Sequence, residues 1–439
     1  MLLKSVKEPV LFPGRKTAVS LDQSFVDEAL IISDMFNLNE NIAVGLLHTA
    51  EQQMHYYPDL TRGLISVLLY YDARRAIVNS LKILIQARKG ISWAVETSEK
   101  VVNLITRYTD KLVDKGLVDQ ILTLLGQLNL EKEINLLHEN RALGGPKHRR
   151  FDKVVTLAPA LFNPCSLFRQ VQDFFNEIRQ SLADIVFCLA AQNGLLKEDT
   201  VLLINYLSSV EDVDNINVTL IVALFYAIDI SAVVRTEESE DVVRLLPITA
   251  DNSFVSSVHK RLTENSQWKN IGLQASVQLA WAVTLATFRS LSSALCAPIQ
   301  TQVDEDEAIL DLALDGKALN FLSNLLQSKN NIYKEEFYLR RLHSLVTDLI
   351  VQMPLKIKDL RNKADEVARN IFVYQQEGIE PPANLPLHFQ SLLNFIAVLY
   401  GEDPLELELC HEFWSSDMSN AGANYRYLKI YSTKEVNLY

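Results

Sequence analysis

Glycine and proline are scarce, 14 and 13 among 439 residues. Sandwiches and barrels turn often, and turns draw on these two residues, so the scarcity argues against an all-β fold. The four cysteines, Cys165, Cys188, Cys296 and Cys410, are scattered without a CxxC pair, which fits a reducing compartment better than a disulfide framework. Basic residues are outnumbered, 42 against 54, for a net charge of −12. A phosphate backbone needs concentrated Lys and Arg, so direct nucleic-acid binding is not expected. The N-terminal stretch around Lys4, Lys7 and Glu8 has no apolar run of signal-peptide length.

Catalytic signatures are missing as well. The chain contains no GxSxG, HExxH or GxGxxG. Pro13-Gly14-Arg15-Lys16-Thr17 ends like a phosphate loop but lacks the earlier glycine and a preceding strand. No histidine has a second histidine or a cysteine three or four residues away, the spacing of a His/Cys zinc site on one helix. Cys410 and His411 are adjacent, which on a helix points them about 100° apart. They read as a buried thiol beside an exposed imidazole. No catalytic, cofactor or metal residues are assigned, and no partner-binding residue can be named from the sequence.

What is present is leucine, 68 residues, and an apolar fraction of 48%. Leucine forms helices and packs well between them. Apolar positions recur at helical spacing from Leu21 onward. Phe25, Ala29, Ile32 and Phe36 mark a first helix and Glu40 to Met54 a second. Leu64, Leu68 and Tyr71 open a third that continues toward Gly90 or divides at Asp72. Gly116 and Gly126 punctuate the next stretch, and Leu130, Ile134 and Leu137 suit a charged helix ending near Arg141. From Val171 the pattern resumes, with helices near 197–210, 215–234, 237–246, 251–264, 272–291 and 305–327, the last broken at Gly316. Tyr338, Leu342, Leu345 and Leu349 share one face. Past Pro354, Leu360, Ala364, Val367 and Ile371 share another.

Helices of this length joined by short breaks bury their faces most simply by stacking on their neighbours. No repeat with fixed residues at a fixed period occurs. The expected fold is therefore all-α, an irregular α-solenoid of stacked antiparallel helix pairs, HEAT- or armadillo-like. Its parts read as a flexible tail over 1–20, solenoid over 21–142, a loop over 143–169, solenoid over 170–416 and a divergent tail over 417–439. Asn270 to Phe288 is an uncharged stretch of membrane-span length, but its Asn, Gln, Ser and Thr residues would cost free energy in hydrocarbon. It reads as a helix buried among helices, so no transmembrane segment is expected.

Other features read more plainly. Lys147-His148-Arg149-Arg150 suits a solvated loop, with a nuclear-localisation or docking signal as the alternative. Arg74-Arg75 and Arg340-Arg341 lie on helices near acids. Asn217-Val218-Thr219 matches a glycosylation acceptor inside an apolar helix. Tyr56-Tyr57, Tyr70-Tyr71, Trp93, Trp268 and Trp281 read as core rather than groove lining.

Several stretches carry a family resemblance. Leu60-Thr61-Arg62-Gly63-Leu64 and Leu68-Leu69-Tyr70-Tyr71-Asp72 resemble the N-terminal region of the nucleoporin 205 family. Lys197-Glu198-Asp199-Thr200, Gly272-Leu273-Gln274-Ala275 and Leu279-Ala280-Trp281-Ala282 follow in the same order. So do Glu335 to Arg341, Met353-Pro354-Leu355-Lys356 and Leu360 to Glu366, and the shared order runs from about Glu28 to Trp414.

The resemblance implies a scaffold component of the nuclear pore inner ring, at the nuclear envelope, without enzymatic activity or cofactor. It implies partners among other nucleoporins, namely inner-ring subunits and the short motifs of linker nucleoporins. The alternative with the same fold is a soluble HEAT-like transport receptor or adaptor. Family members are several times longer, so the chain resembles an N-terminal portion. Phe151–Arg169 has no counterpart in the resemblance and is expected to be an insertion between Arg150 and Gln170. The 417–439 tail also fails to match and is expected to reflect early termination.

Overall fold

The structure, a computed structural model, describes residues 23–58, 60–88, 99–129, 131–132, 164–192, 195–230, 251–263, 268–289, 299–328, 335–380, 382, 385–401 and 407–415. The expected N-terminal tail, the basic run 147–150, residues 151–163, the helix near 237–246, Trp93 and the tail 417–439 lie outside them. So does all but the start of the expected charged helix near Arg141. Among the described residues every regular element is a helix.

In chain order these are α1 Gln23–Phe36, α2 Glu40–Gln53, α3 Arg62–Gln86, α4 Glu99–Val113, α5 Leu117–Gln127 and α6 Pro164–Ala191. Then come α7 Lys197–Ser208, α8 Asn215–Ile228, α9 Asn252–Thr263, α10 Ile271–Phe288, α11 Gln300–Val303 and α12 Asp306–Asp315. The last are α13 Ala318–Gln327, α14 Glu336–Gln352, α15 Pro354–Glu377, α16 His388–Gly401 and α17 Leu409–Ser415. The fold is all-α, and neighbouring helices pack in pairs as in an irregular α-solenoid.

Local chemistry sets many boundaries. Side-chain oxygens of Asn39, Thr61, Asp214 and Asn270 accept from backbone N–H groups in the first turns of α2, α3, α8 and α10. Such caps satisfy donors that a helix start otherwise leaves unpaired. Gly378 closes α15 in the left-handed region at φ 67°. α3 runs unbroken through Asp72, and Gly126 lies inside α5 rather than ending it. α6 begins at Pro164, inside the stretch expected to be loop to residue 169. Proline disrupts helix interiors but suits the first turn, where its missing N–H would have no partner.

Contacts cluster into two units, 1–109 with 123–185, and 110–122 with 186–439. In the first, α1, α2 and α3 run up, down and up. Arg62, opening α3, reaches Glu28 of α1 at 3.0 Å and Glu51 near the end of α2 at 3.4 Å. It also lies 4.8 Å over the Phe25 ring. At the other end of α1, Phe36 stacks on Tyr70 of α3 at 3.9 Å. Phe25, Ala29 and Leu47 form the buried centre between α1 and α2.

In the second unit α10 is central. Helices α8, α9, α11, α12, α13 and α14 all pack on it, and Leu273 to Phe288 are all buried. It is the one helix among the described residues long and apolar enough to cross a membrane, yet its surface is already taken up by protein. The polar residues within it have work inside the fold. Gln278 Nε2 donates to Leu262 O at 2.7 Å, and Thr284 Oγ1 donates to Ile228 O at 3.1 Å. Those carbonyls belong to the last turns of α9 and α8, which have no partner within their own helices.

Close approach explains two glycines. A Cβ on Gly316 would stand 2.7 Å from Ala275 Cβ, and one on Gly272 would stand 2.6 Å from Phe321 Cδ2. The break expected at Gly316 is present between α12 and α13, but the left-handed residue there is Lys317, at φ 61°. Gly316 is needed for space rather than for backbone freedom.

Candidate partner-binding surface

A scaffold binds through side chains that its own core does not use, so the informative residues are large, apolar and exposed. The turn between α2 and α3 supplies one group. Met54, Tyr56 and Tyr57 are exposed, Tyr56 at 72%. Backbone bonds Tyr56 N–H to Gln53 O, Tyr57 N–H to Met54 O and Leu60 N–H to Tyr57 O wind this segment into successive turns. The His55 ring lies 3.8 Å from that of Tyr56. These tyrosines are therefore not core, contrary to expectation. They fall between two helices just before Pro58, where no helical face exists to bury them. That position was the signal in the sequence.

Of the remaining aromatics, Trp93 lies outside the described residues. Tyr71 and Trp281 are fully buried, Trp268 is buried and Tyr70 is half-buried. Asn217 is buried in α8 and donates to Asp212 O, so the glycosylation motif is inside the fold. Cys410 is half-buried rather than buried as expected, lying in the short terminal helix α17, and His411 is exposed as expected.

A second group lies on α15. Lys356, Ile357, Leu360 and Val367 are buried, and no later residue of the helix is. Lys356 Nζ pairs with Asp311 of α12 at 2.8 Å, and His388, opening α16, pairs with Asp315 at 3.2 Å. The base of α15 is thus held, while Phe372 and Val373 in its last turns are exposed, Phe372 at 58%. Ile379 and Leu387 beyond it are exposed too. The face Leu360–Ala364–Val367–Ile371 was legible from spacing. Phe372 and Val373 stand about 100° and 200° round from Ile371 and so miss that face.

Several polar side chains hold helices together. Arg75 and Arg341 illustrate it, with Arg75 between Asp72 and Glu177 and Arg341 on Asp229. The hydrogen bond to Glu177 raises the Arg75 pKa above its ordinary value. Burial raises the carboxyls of Asp199 and Asp306, opposed at Asp306 by Arg289, with which it pairs. Hydrogen bonds from Ser253 and Lys197 instead hold Asp251 below the usual carboxylate range. Each of these groups sits at a helix start or between helices. Among the described residues no group of three or more His, Cys, Asp or Glu could hold a metal ion.

A family model described as nuclear pore complex scaffold, nucleoporins 186/192/205, matches residues 2–430. The human nuclear pore complex protein Nup205 is 39% identical over 417 residues, covering 94% of this chain and 20% of that protein. Nuclear pore complex protein Nup205 of Drosophila melanogaster is 33% identical over 433 residues, 97% of this chain and 20% of that protein. The chain spans about a fifth of the length of these curated relatives.

Proposed function

The chain belongs to the nucleoporin 186/192/205 family of nuclear pore complex scaffolds, and on that premise we propose that it is a structural segment of the pore's inner ring. It binds other nucleoporins, both neighbouring scaffold subunits and short linker segments, and so supports pore assembly and nucleocytoplasmic transport. The role is mechanical rather than catalytic.

The observation that carries this reading is the family match over residues 2–430. The exposed apolar side chains add physical support. Interfaces draw on Tyr, Phe and Met and are depleted of Lys, Glu and Asp. Exposed Tyr56, Tyr57, Met54, Phe372 and Val373 have that composition. A partner helix or short apolar peptide would bury aliphatic or aromatic anchors beside them.

The test is to express the full chain with a fluorescent tag and to recover its partners from nuclear envelope extract. Stable residence at the nuclear rim with co-purifying nucleoporins is expected. A freely diffusing nuclear pool that binds Ran-GTP would identify a transport receptor instead. We also propose that 151–169 is an insertion, which a transcript joining Arg150 to Gln170 would support.

A further inference from the structure

Helices α3 and α6 lie side by side through a ladder of polar contacts. Arg75 Nη1 meets Glu177 Oε2 at 3.1 Å, Ser181 Oγ donates to Asn79 Oδ1 at 2.8 Å, and Lys82 Nζ meets Asp184 Oδ2 at 2.6 Å. All three rungs join residues separated by 102 positions. A constant separation, rather than a constant sum, means that the two helices run parallel in a single register. Steps of four and three on both helices keep the rungs on one face. Asn79 adds a diagonal bond to Glu177, and the Arg75 guanidinium lies 4.8 Å over the Phe174 ring.

The two ends of α3 are held differently. From Gly63 to Leu68, and at Tyr71, the helix is buried, whereas beyond Asp72 only Val78 and Ile85 are. The ladder falls on this second half. Its charges are partly in water, with side-chain exposures of 34% and 45% for Arg75–Glu177 and 28% and 22% for Lys82–Asp184. Ion pairs in such surroundings contribute little individually and are screened by salt.

We infer that the α3–α6 ladder is an ionic-strength-sensitive joint, closed in dilute salt and loosened as salt screens its two ion pairs, while the α1–α2–α3 core stays intact. The joint gives a scaffold segment a defined place to flex without unfolding a helix.

Spin labels at the exposed positions Ala76→Cys and Asn176→Cys, in the full chain with its natural cysteines replaced by alanine, report the α3–α6 distance. Between about 0.01 M and about 1 M KCl the Debye length falls from about 30 Å to about 3 Å. Over that range the separated population should rise about fivefold, the size expected from weakening two partly exposed ion pairs, with helical circular dichroism unchanged. Lys82→Asp alone should show the separated population already in dilute salt. Adding Asp184→Lys should restore the short distance. A distance distribution that ignores salt overturns the inference. So does a charge swap that restores nothing while the single variant remains folded. If Lys82→Asp does not fold, the salt series on the parent chain decides alone.

Discussion

Arg341 of α14 meets Asp229 Oδ2, just past the end of α8, at 2.8 Å, and both side chains are largely buried, 3% and 16% exposed. The guanidinium also faces the Tyr226 ring at 5.8 Å. Tyr226 OH in turn donates to Phe337 O at 3.4 Å, one residue into α14. Phe187, 4.5 Å from the Phe337 ring, completes the group. The pair lies where α8 leaves its last carbonyls, so the cation also suits the negative end of that helix.

Removing one member should therefore cost more than removing both. Arg341→Met leaves a mostly buried carboxylate without its guanidinium and should destabilise by about 3–5 kcal/mol. Arg341→Met with Asp229→Asn should recover much of that loss. Denaturant unfolding of the four proteins of this cycle checks it. Equal losses in the single and double variants would refute the coupling.

Space is limiting at Gly316. Its φ of −72° is one any residue adopts, so the penalty for a side chain is steric. Gly316→Ala should lower stability by about 1–3 kcal/mol through the contact with Ala275. Ala275→Gly, made in that background, should return part of it. Thermal melts resolve the difference, and rescue is the outcome that separates a clash from a helix-propensity effect.

The buried amide of Gln278 has a single identified role, donating to Leu262 O. Gln278→Leu is similar in size but leaves that carbonyl unpaired, at a cost of about 1–3 kcal/mol. Faster amide exchange at the end of α9, compared with the parent chain, would show where the loss falls.

Acid stability should depend on Asp251. Its carboxyl titrates below the unfolded value, so its stabilisation is present above the usual carboxylate range and is lost as pH falls below it. Asp251→Asn has no such contribution to lose. Between about pH 5 and about pH 3 its melting temperature should fall less than that of the parent. A parallel fall in both proteins would contradict the assignment.

Tyr56 and Tyr57 are exposed and the core does not rest on them. Tyr56→Ser with Tyr57→Ser should change stability by less than about 0.5 kcal/mol. The same double variant should recover less of the co-purifying nucleoporins from nuclear envelope extract. Unchanged recovery would remove this turn from the binding surface.

The sequence by itself determined the helices. The spacing of Phe25, Ala29 and Ile32, or of Tyr338, Leu342, Leu345 and Leu349, is a local property, and all of these residues are buried as the pattern requires. The caps Asn39, Thr61 and Asn270 act within three residues and are local too. What packs on a helix is not local. The polar residues within Ile271–Phe288 already pointed to burial in protein rather than in lipid, but only the tertiary structure decided which six helices enclose it. The same holds for the parallel register of α3 and α6 and for the meeting of Arg341 with Asp229. Periodicity says which face of a helix is apolar; it carries no information about which distant segment will cover that face, since any complementary surface satisfies the same pattern.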